Sequence, residues 1–293
     1  MAFLDRLKSL LSGSKLDVQD RFELLREAIS GSMSKFYMAR DRKTGEVVGL
    51  KILDPKKTAL FEGRFKELNK PSEGEIAVQF DHPYIVKTFE HGLTTRGDQY
   101  LVLEYLAGGG LNWVLASRDT RKLDGRRVKF LRQVAEALQV VHETGFIHRD
   151  VCPRNLIFTE DGSALKLTDF GLSVPATPPF KQPGNRTGTA NYMAPELVRR
   201  LPTDERLDVF AFGVTAYEMC AGALPFLASR GGGIAAMSHN TPPADIRRHR
   251  PQIHPDLAAA IHNCLVAEPK NRCPSMAEFL SAIRRLEHED AGE

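Results

Sequence analysis

The stretch that most constrains the fold of this chain runs from Phe146 to Glu196 and carries three short motifs. H-R-D stands at residues 148–150 with an asparagine at 155, D-F-G follows at 169–171, and A-P-E closes the stretch at 194–196. Carboxylate and amide oxygens bind hard cations, and carboxylates also take up and release protons. One such triplet would be weak evidence, but three in this order make a chance arrangement a poor explanation.

The three motifs resemble the catalytic half of the protein kinase family in order and spacing. The resemblance implies an α+β, bilobal kinase fold: a small, mainly antiparallel β N-lobe with one key helix, and a larger, mainly α-helical C-lobe. It also implies phosphoryl transfer from ATP with Mg²⁺, in which the protein positions reactants and neutralises charge. Asp150 would accept or orient the substrate hydroxyl proton, and Asn155 and Asp169 would hold the metal. Gly171 would allow the sharp turn after Asp169.

Length and charge are consistent with one two-lobed domain. A chain of 293 residues can bury a sizeable core, and its 40 basic and 37 acidic residues nearly balance. This balance gives no signal for nucleic-acid binding, so we expect a protein substrate and ATP as partners. We expect an N-terminal extension at 1–20, a kinase domain at 21–287 and an acidic, frayed tail at 288–293. The N-lobe would cover 21–106 and the C-lobe 107–287.

Cysteine usage and hydropathy predict a cytoplasmic protein. The four cysteines form no C-x-x-C pair and no set at zinc-ligand spacing, which is typical of a reduced, cytosolic chain. No apolar run approaches the roughly 20 residues that cross a bilayer, so we expect no transmembrane segment. The oligomeric state is left open.

Residues 2–11 carry an amphipathic pattern. Apolar residues recur at helical spacing, which predicts a short helix that ends at Gly13. Docking on the body of the domain is the plainer interpretation, and weak contact with a membrane surface or a partner protein is the alternative. The apolar residues are Phe3, Leu4, Leu7, Leu10 and Leu11.

A strand in the first half resembles the V-A-I-K strand of kinases, with Gly49 in place of the usual alanine. By this resemblance Lys51 would contact the α- and β-phosphates of ATP. A lone lysine in a strand is usually solvated surface, so the assignment depends on the rest of the set. Its carboxylate partner would be Glu73, counted back from the H-P-x-I-V segment at 82–86, with Glu75 as the rival.

The phosphate-binding turn departs from the family pattern. Counted back from Phe36, the G-x-G-x-x-G positions fall on Ile29, Gly31 and Ser34, so only the middle glycine remains. Because these glycines let backbone N–H groups approach the phosphates, weaker nucleotide binding is a hypothesis. Ala28 and Phe36 would cover the adenine or ribose as apolar lids.

Residues 99–106 are typical of a strand that runs into glycines, and they resemble the hinge between kinase lobes. Backbone groups of Glu104 and Leu106 would then meet the adenine. The full set implied for ATP binding is Ala28, Gly31, Phe36, Gly49, Lys51, Glu104, Leu106 and Ile157.

The residue two after the catalytic aspartate is usually lysine in Ser/Thr kinases, but here it is Cys152. Arg154 stands just before Asn155, as in many tyrosine kinases, and would supply the missing positive charge. The segment at 188–196 resembles the Ser/Thr form of the substrate-facing loop. We therefore expect a Ser/Thr protein kinase, with dual specificity left open. Candidate catalytic residues are Asp150, Lys51, Glu73 and Arg154.

Other residues of this half have structural or regulatory interpretations. His148 is expected to pack, while Arg149 would pair with a phosphorylated residue, for which Thr187 is the first candidate and Thr177 the second. Asp208 would brace the catalytic loop. Arg272 would pair with Glu196 of the A-P-E motif.

The main alternative to a kinase is a pseudokinase or scaffold with weak or no phosphotransfer. The eroded glycine loop and Cys152 favour it. Against it stands the full set of chemistry-bearing side chains, for which a scaffold has no chemical need. A kinase-like small-molecule phosphotransferase is disfavoured, since such relatives typically lack the A-P-E segment and the arginine of H-R-D.

Overall fold

The computed structural model describes residues 15–27, 33–184, 186–226 and 241–291. The predicted helix at 2–11 and the candidate residues Ala28 and Gly31 lie outside the described residues. The chain forms two compact units: a small one, which runs to Asp81 and includes Val86–Tyr105, and a large one with His82–Ile85 and the residues from Leu106 onward. A mainly β unit and a mainly α unit confirm the predicted fold class.

The small unit is built on one antiparallel sheet. The strands are β1 Phe22–Glu27, β2 Ser34–Asp41, β3 Val47–Leu53, β4 Thr88–Leu93 and β5 Gln99–Glu104, and their order in the sheet is β1-β2-β3-β5-β4. Gly45, at φ 76°, lies in the β2–β3 turn, and short helices of the described residues accompany the sheet. The helices are α1 Val18–Arg21, α2 Pro55–Glu62 and α3 Glu73–Ala77.

The two faces of this sheet carry different residues. Leu50 of β3 pairs with Tyr37 and Val102, whereas Lys51 pairs with Phe36 and Leu101. Because successive side chains of a strand point to opposite sides, these two sets lie on opposite faces. The face of Leu50, called the packed face below, holds a buried apolar cluster of Phe22, Ala39, Val48, Leu50, Tyr100 and Val102.

The large unit is mainly helical. Among its described residues the longest helix is Arg127–Glu143, which buries the apolar residues of one face from Val128 to Val141. A short hairpin lies between the H-R-D and D-F-G motifs, and a separate two-stranded antiparallel pair joins the residues just before H-R-D to residues just after D-F-G. The helices are α4 Leu111–Ser117, α5 Arg127–Glu143, α6 Pro195–Val198, α7 Arg206–Ala221, α8 Pro255–Cys264 and α9 Met276–Ala282, and the strands are β6 Phe146–Ile147, β7 Leu156–Phe158, β8 Leu165–Leu167 and β9 Val174–Pro175.

The C-terminal residues differ from the frayed tail that the sequence predicted. Glu289 is only 2% exposed, and its carboxylate lies 2.8 Å from Nη1 of Arg127. Asp290 pairs with Arg250 at 2.5 Å, and the backbone N–H of Ala291 donates to Gln252. A buried ion pair is lost if the tail detaches, so residues 288–291 are part of the folded unit.

In the described ranges, no helix is both long and apolar enough to span a bilayer.

Candidate active site

In the small unit, Lys51 and Glu73 form a buried ion pair. Lys51 lies at the middle of β3 and is 7% exposed, Glu73 is 6% exposed, and Nζ of the lysine lies 2.5 Å from Oε1 of the glutamate. Charged side chains are rarely this buried unless they are paired. The lysine is therefore held at one position on the face of the sheet opposite the packed face.

The local sequence explains why Glu73, and not Glu75, meets the lysine. Ser72 caps α3 in a capping box, in which Glu75 Oε2 accepts from the backbone N–H of Ser72 at 2.8 Å. The rival carboxylate is thus used at the helix N-terminus. Gly74 lies directly against the side chain of His91, and any Cβ at this position would collide with it. Glycine therefore lets α3 approach β4 closely and sets the position of Glu73.

Phe36 and Gly49 form a close pair on the same sheet face as Lys51. The ring of Phe36 would lie 2.6 Å from a Cβ at position 49, and the carbonyl oxygen of Glu104 would lie 3.5 Å from it. The glycine that replaces the usual alanine is thus explained by the Phe36 ring. This apolar ring and backbone carbonyl are the kinds of group that cover and hydrogen-bond a base.

In the large unit, Asp150 lies at the centre of a polar network and is 8% exposed. Asn155 donates from Nδ2 to the carboxylate at 3.0 Å and to the backbone carbonyl of Asp150 at 2.8 Å. Thr189 donates from its hydroxyl at 2.6 Å and from its backbone N–H at 2.8 Å. Arg154 donates from Nη2 at 3.2 Å. The carboxylate is therefore held in one orientation.

Thr189 is the member of this network for which the sequence suggested no role. It lies 39 residues from Asp150 in the chain, and its hydroxyl also accepts from Nη2 of Arg154 at 3.0 Å. A threonine in a loop has many ordinary uses, so only its place directly after Gly188 and before the A-P-E segment could have drawn attention to it.

Asp208, at the start of α7, braces the loop that carries the H-R-D motif. It is fully buried and accepts from the backbone N–H groups of His148 and Arg149, both at 2.7 Å, while His142 Nε2 lies 2.9 Å away. Burial alone would raise the pKa of Asp208, but the hydrogen bonds and the charge of His142 outweigh burial and lower it. Arg149 has a φ of 71°, a conformation that non-glycine residues seldom adopt, and these bonds support it.

His148 packs, as the sequence predicted. It is completely buried, its ring lies edge-on to Phe170 at 5.1 Å, and its Nε2 lies 3.2 Å from the carbonyl oxygen of Thr168. Its ring thus ties the H-R-D segment to the D-F-G segment.

The β7–β8 hairpin brings Asn155 and Asp169 to the same end of the large unit. Leu156 pairs with Leu167, and the next residues outward are joined by a bond of 3.0 Å from the N–H of Thr168 to the carbonyl oxygen of Asn155. Asn155 uses Nδ2 for Asp150, which directs its amide oxygen elsewhere. An amide oxygen and a carboxylate are hard ligands of the kind that Mg²⁺ takes, so this donor set fits the metal.

The predicted turn after the metal-ligand candidate contains Gly171. Gly171 and Leu172 lie in a turn that is closed by a bond of 3.0 Å from the N–H of Ser173 to the carbonyl oxygen of Phe170. Asp169, just before this turn, has a φ of 68°, and its Oδ1 accepts from the N–H of Gly171 at 3.2 Å. Aspartate tolerates this region because its short polar side chain bonds to nearby backbone. The left-handed conformation at the start of the turn is therefore taken by the aspartate.

Cys152 is buried beneath this network, and its sulfur lies 3.5 Å from the Thr189 hydroxyl. Burial, assisted by the charge of Asp150, raises the pKa of the Cys152 thiol to about 11. The thiol is therefore neutral near pH 7 and supplies no charge. The positive charge nearest to Asp150 among the described hydrogen bonds belongs to Arg154, whose side chain is 57% exposed.

The remaining predicted positions of the large unit are Arg149, Thr187, Leu106 and Ile157. Arg149 reaches the Thr187 hydroxyl with Nη2 at 3.4 Å, a long contact. Leu106 begins the large unit, and Ile157 lies in β7, where it bridges to Gly110 of the segment that follows Leu106.

The A-P-E glutamate is held as the sequence predicted. Arg272 binds Glu196 with two parallel bonds of 2.7 and 2.9 Å, and both residues are buried. A planar guanidinium that meets a carboxylate in this way gives geometric specificity as well as energy. The pair fastens the end of the motif stretch to the segment after α8.

Comparison with known proteins places this site in context. The profile of the protein kinase domain matches residues 22–282. Serine/threonine-protein kinase AtPK1/AtPK6 of Arabidopsis thaliana is 34% identical over 212 residues, which are 72% of this chain and 44% of the relative. Aurora kinase of Yarrowia lipolytica is 32% identical over 253 residues, 86% of this chain and 65% of the relative.

A bacterial relative covers a similar share of the chain. Serine/threonine-protein kinase pkn3 of Myxococcus xanthus is 30% identical over 275 residues, which are 88% of this chain and 48% of the relative. The chain therefore spans between about two fifths and two thirds of the length of these relatives.

Proposed function

This chain belongs to the protein kinase family, and we propose that it transfers the γ-phosphate of Mg-ATP to serine or threonine hydroxyl groups of a protein substrate. The observation that carries the proposal is the Asp150 carboxylate, which is oriented by Asn155, Thr189 and Arg154. A group that takes a proton in the transition state must be held at a defined position, and this network does so.

Asp150 is the proposed catalytic base. It orients the acceptor hydroxyl of the substrate and takes its proton as the oxygen attacks the γ-phosphorus. Asn155 and Thr189 hold the carboxylate during the transfer. The loop that carries Asp150 is fixed from behind by Asp208.

Asn155 and Asp169 are the proposed ligands of Mg²⁺, since their oxygens fit its preference for hard donors. When bound, the metal neutralises phosphate charge. The shared anchoring of both residues at the end of the β7–β8 hairpin supports this assignment.

In the small unit, Lys51 is the proposed contact for the α- and β-phosphates, and Glu73 holds it in place. Phe36, Gly49 and the backbone of Glu104 are proposed to cover and bind the base. The sheet face that Phe36 and Gly49 share with Lys51 supports this, as does the carbonyl oxygen of Glu104, which would lie 3.5 Å from a Cβ at position 49.

Arg154 is proposed to contact the γ-phosphate in place of the usual lysine. The neutral thiol of Cys152 cannot do so, while the guanidinium of Arg154 lies next to Asp150 and is more than half exposed. A guanidinium suits phosphate oxygens because its N–H donors form a planar fork. The Ser/Thr preference is supported by the names of the relatives, which are serine/threonine kinases.

Arg149 and Thr187 are proposed as a regulatory pair. A phosphate on the Thr187 oxygen would meet the guanidinium that already approaches this hydroxyl. Such a charge-assisted contact would order the loop between the D-F-G and A-P-E motifs.

The test is transfer of ³²P from γ-labelled ATP, with MgCl₂, to a mixed peptide library and to the protein itself. Label on serine or threonine that disappears in Asp150→Asn supports the proposal. Label confined to tyrosine would contradict the substrate class. Folded parent protein that binds ATP with Mg²⁺ but transfers nothing would contradict the activity and favour a scaffold.

A further inference from the structure

An open groove of about 700 Å³ lies on the packed face of the small-unit sheet. Its apolar walls include Leu24 of β1, Tyr37 of β2 and Ile52 of β3, and Leu24 is 49% exposed. We call it the Leu24 groove. Pockets of roughly 300–1,000 Å³ with mainly apolar walls are the usual size for a bound ligand, so this one is large enough for several side chains.

The N-terminal segment of the chain is already attached beside this groove. Leu16 donates its N–H to the Leu93 carbonyl at 3.0 Å and accepts from the N–H of Thr95 at 2.9 Å. Leu16 and Val18 also pack against the apolar cluster of the packed face, and Val18 lines the groove. One part of the N-terminal segment thus uses the same face to which the groove belongs.

Fourteen residues precede Lys15, where the described chain begins. Leu11 is four residues from Lys15, so at about 3.5 Å per residue it can lie no farther than roughly 14 Å away. A helix of ten residues is about 15 Å long. The apolar segment at 2–11 therefore has only a short distance to span before it reaches the groove. Because it is tethered to the small unit, its local concentration at the groove is high.

We propose that residues 2–11 occupy the Leu24 groove, with their apolar residues against Leu24, Tyr37 and Ile52. The occupant is the chain's own N-terminus because the chain enters at the edge of the groove and its apolar residues recur at helical spacing. An isolated helix of this length is marginal in water, so burial of its apolar face in the groove stabilises it.

This docking would also act on the strand that carries Lys51. Ile52 and Leu53 line the groove and follow Lys51 directly in β3. Filling the groove covers this end of the strand from the packed face. Loss of docking is therefore expected to increase amide exchange in β3 as well as in the segment itself.

The experiment is hydrogen–deuterium exchange of the full chain, read by mass spectrometry on peptides from residues 1–14 and from β3. We expect protected amides in residues 3–11 of the parent. Leu7→Glu and Leu24→Glu should each raise exchange there about tenfold, since each removes one side of the same contact. Two controls should leave exchange unchanged: Ser9→Glu within the segment, and Leu60→Glu at a leucine that is 70% exposed and outside the groove.

Combining Leu7→Glu with Leu24→Glu should add little to either change alone, because both break one contact. Leu24→Glu is checked by circular dichroism. If it fails to fold, the proposal is tested by comparing amide exchange in Leu7→Glu and Ser9→Glu, since neither residue is part of the groove wall.

Several results would overturn the proposal. One is that residues 3–11 of the parent exchange as fast as an unfolded peptide. Another is that Leu7→Glu raises exchange no more than Ser9→Glu, or Leu24→Glu no more than Leu60→Glu. Protection that disappears on dilution would assign the groove to a second copy of the chain. Protection that arises only with phosphatidylcholine–phosphatidylserine vesicles would assign the segment to a membrane surface.

Discussion

Asp208 and Asp150 are two aspartates of the large unit that are almost equally hidden from solvent but have different kinds of partner. Asp208, at the start of α7, accepts from the backbone N–H groups of His148 and Arg149. Asp150, on the loop itself, accepts mainly from side chains. Asp208 thus holds two backbone N–H groups of the loop, whereas Asp150 is held mainly by side chains.

The difference separates positioning from chemistry. Backbone partners cannot be exchanged without moving the loop, so Asp208 sets the loop conformation, including the positive φ of Arg149. Side-chain partners such as Thr189 and Arg154 can rotate and share the carboxylate with an incoming hydroxyl. Asp150 is therefore suited to act on a substrate, whereas Asp208 is suited to keep Asp150 in place.

The largest effect on activity is expected from Asp150→Asn. An amide of the same shape cannot take the proton, and general base catalysis is worth about 10²–10⁴ in rate, so kcat should fall by roughly that factor. The thermal midpoint should stay close to that of the parent, because the amide oxygen can still accept from the backbone N–H of Thr189 while the N–H₂ group faces the side chains of Asn155 and Arg154, which can rotate. Steady-state transfer and thermal melting measure the two quantities. A large loss of stability would instead place Asp150 in the structural class of Asp208.

Asp208→Asn should reduce stability as well as rate. The amide presents an N–H₂ group to one of the two backbone donors and leaves that donor buried without an acceptor. We expect a loss of about 3 kcal/mol in the free energy of unfolding, typical of a buried charged hydrogen-bond partner that is removed. Denaturant unfolding measures it, with Asp161→Asn, at an exposed aspartate, as the control.

The lowered pKa of Asp208 makes this loss depend on pH. A carboxylate whose pKa is lower in the folded than in the unfolded state stabilises the protein fully above the unfolded value of about 4 and loses this contribution as pH falls below it. The stability difference between parent and Asp208→Asn should therefore be present at neutral pH and should shrink below pH 4. A difference that grows towards acid would show that the pKa is raised.

Thr189→Val should have a smaller effect, because the backbone N–H of residue 189 still holds Asp150. Losing the hydroxyl bond is expected to lower kcat about tenfold, a cost of about 1.4 kcal/mol. Thr189→Ser keeps the hydroxyl and should restore most of the rate. Equal rates for the valine and serine variants would show that the hydroxyl does not orient the carboxylate.

The smallest expected effect concerns the reactivity of the Cys152 thiol, which is buried near Asp150. Its thiol pKa of about 11 leaves very little thiolate at pH 8, while the pKa of the Cys273 thiol is lowered, first by its hydrogen bond with Cys264. Because the thiolate is the reactive form, iodoacetamide should modify Cys273 well before Cys152. Peptide mapping over time measures the order, and early modification of Cys152 would contradict the buried, neutral thiol.

Much of this arrangement could be predicted from sequence because the motifs carry their spacing with them. The pairings of Lys51 with Glu73 and of Arg272 with Glu196 were implied by the resemblance to kinases, whose spacing was counted along this chain. The contact of Thr189 with Asp150 could not be found in this way, since it depends on a loop that returns 39 residues later.

The backbone conformation at Asp169 and the packing of residues 288–291 also could not be predicted from the sequence pattern. Gly171 lies in the predicted turn, but the left-handed φ just before it belongs to Asp169, whose own carboxylate bonds to the backbone N–H of Gly171. An acidic C-terminus suggested solvent exposure, but Arg127 and Arg250 provide buried and half-buried partners for it. Both outcomes depend on groups that are distant in the chain or on local hydrogen bonds that composition does not reveal.

The most direct test of the account compares parent, Asp150→Asn and Asp208→Asn in one experiment: initial rates of γ-phosphate transfer at equal folded fraction, with the thermal midpoint of each protein. We predict that Asp150→Asn loses transfer while it melts like the parent, and that Asp208→Asn loses stability together with transfer. Transfer by Asp150→Asn at the parental rate, or an equal fall in the two melting temperatures, would contradict the division between a catalytic and a positioning aspartate.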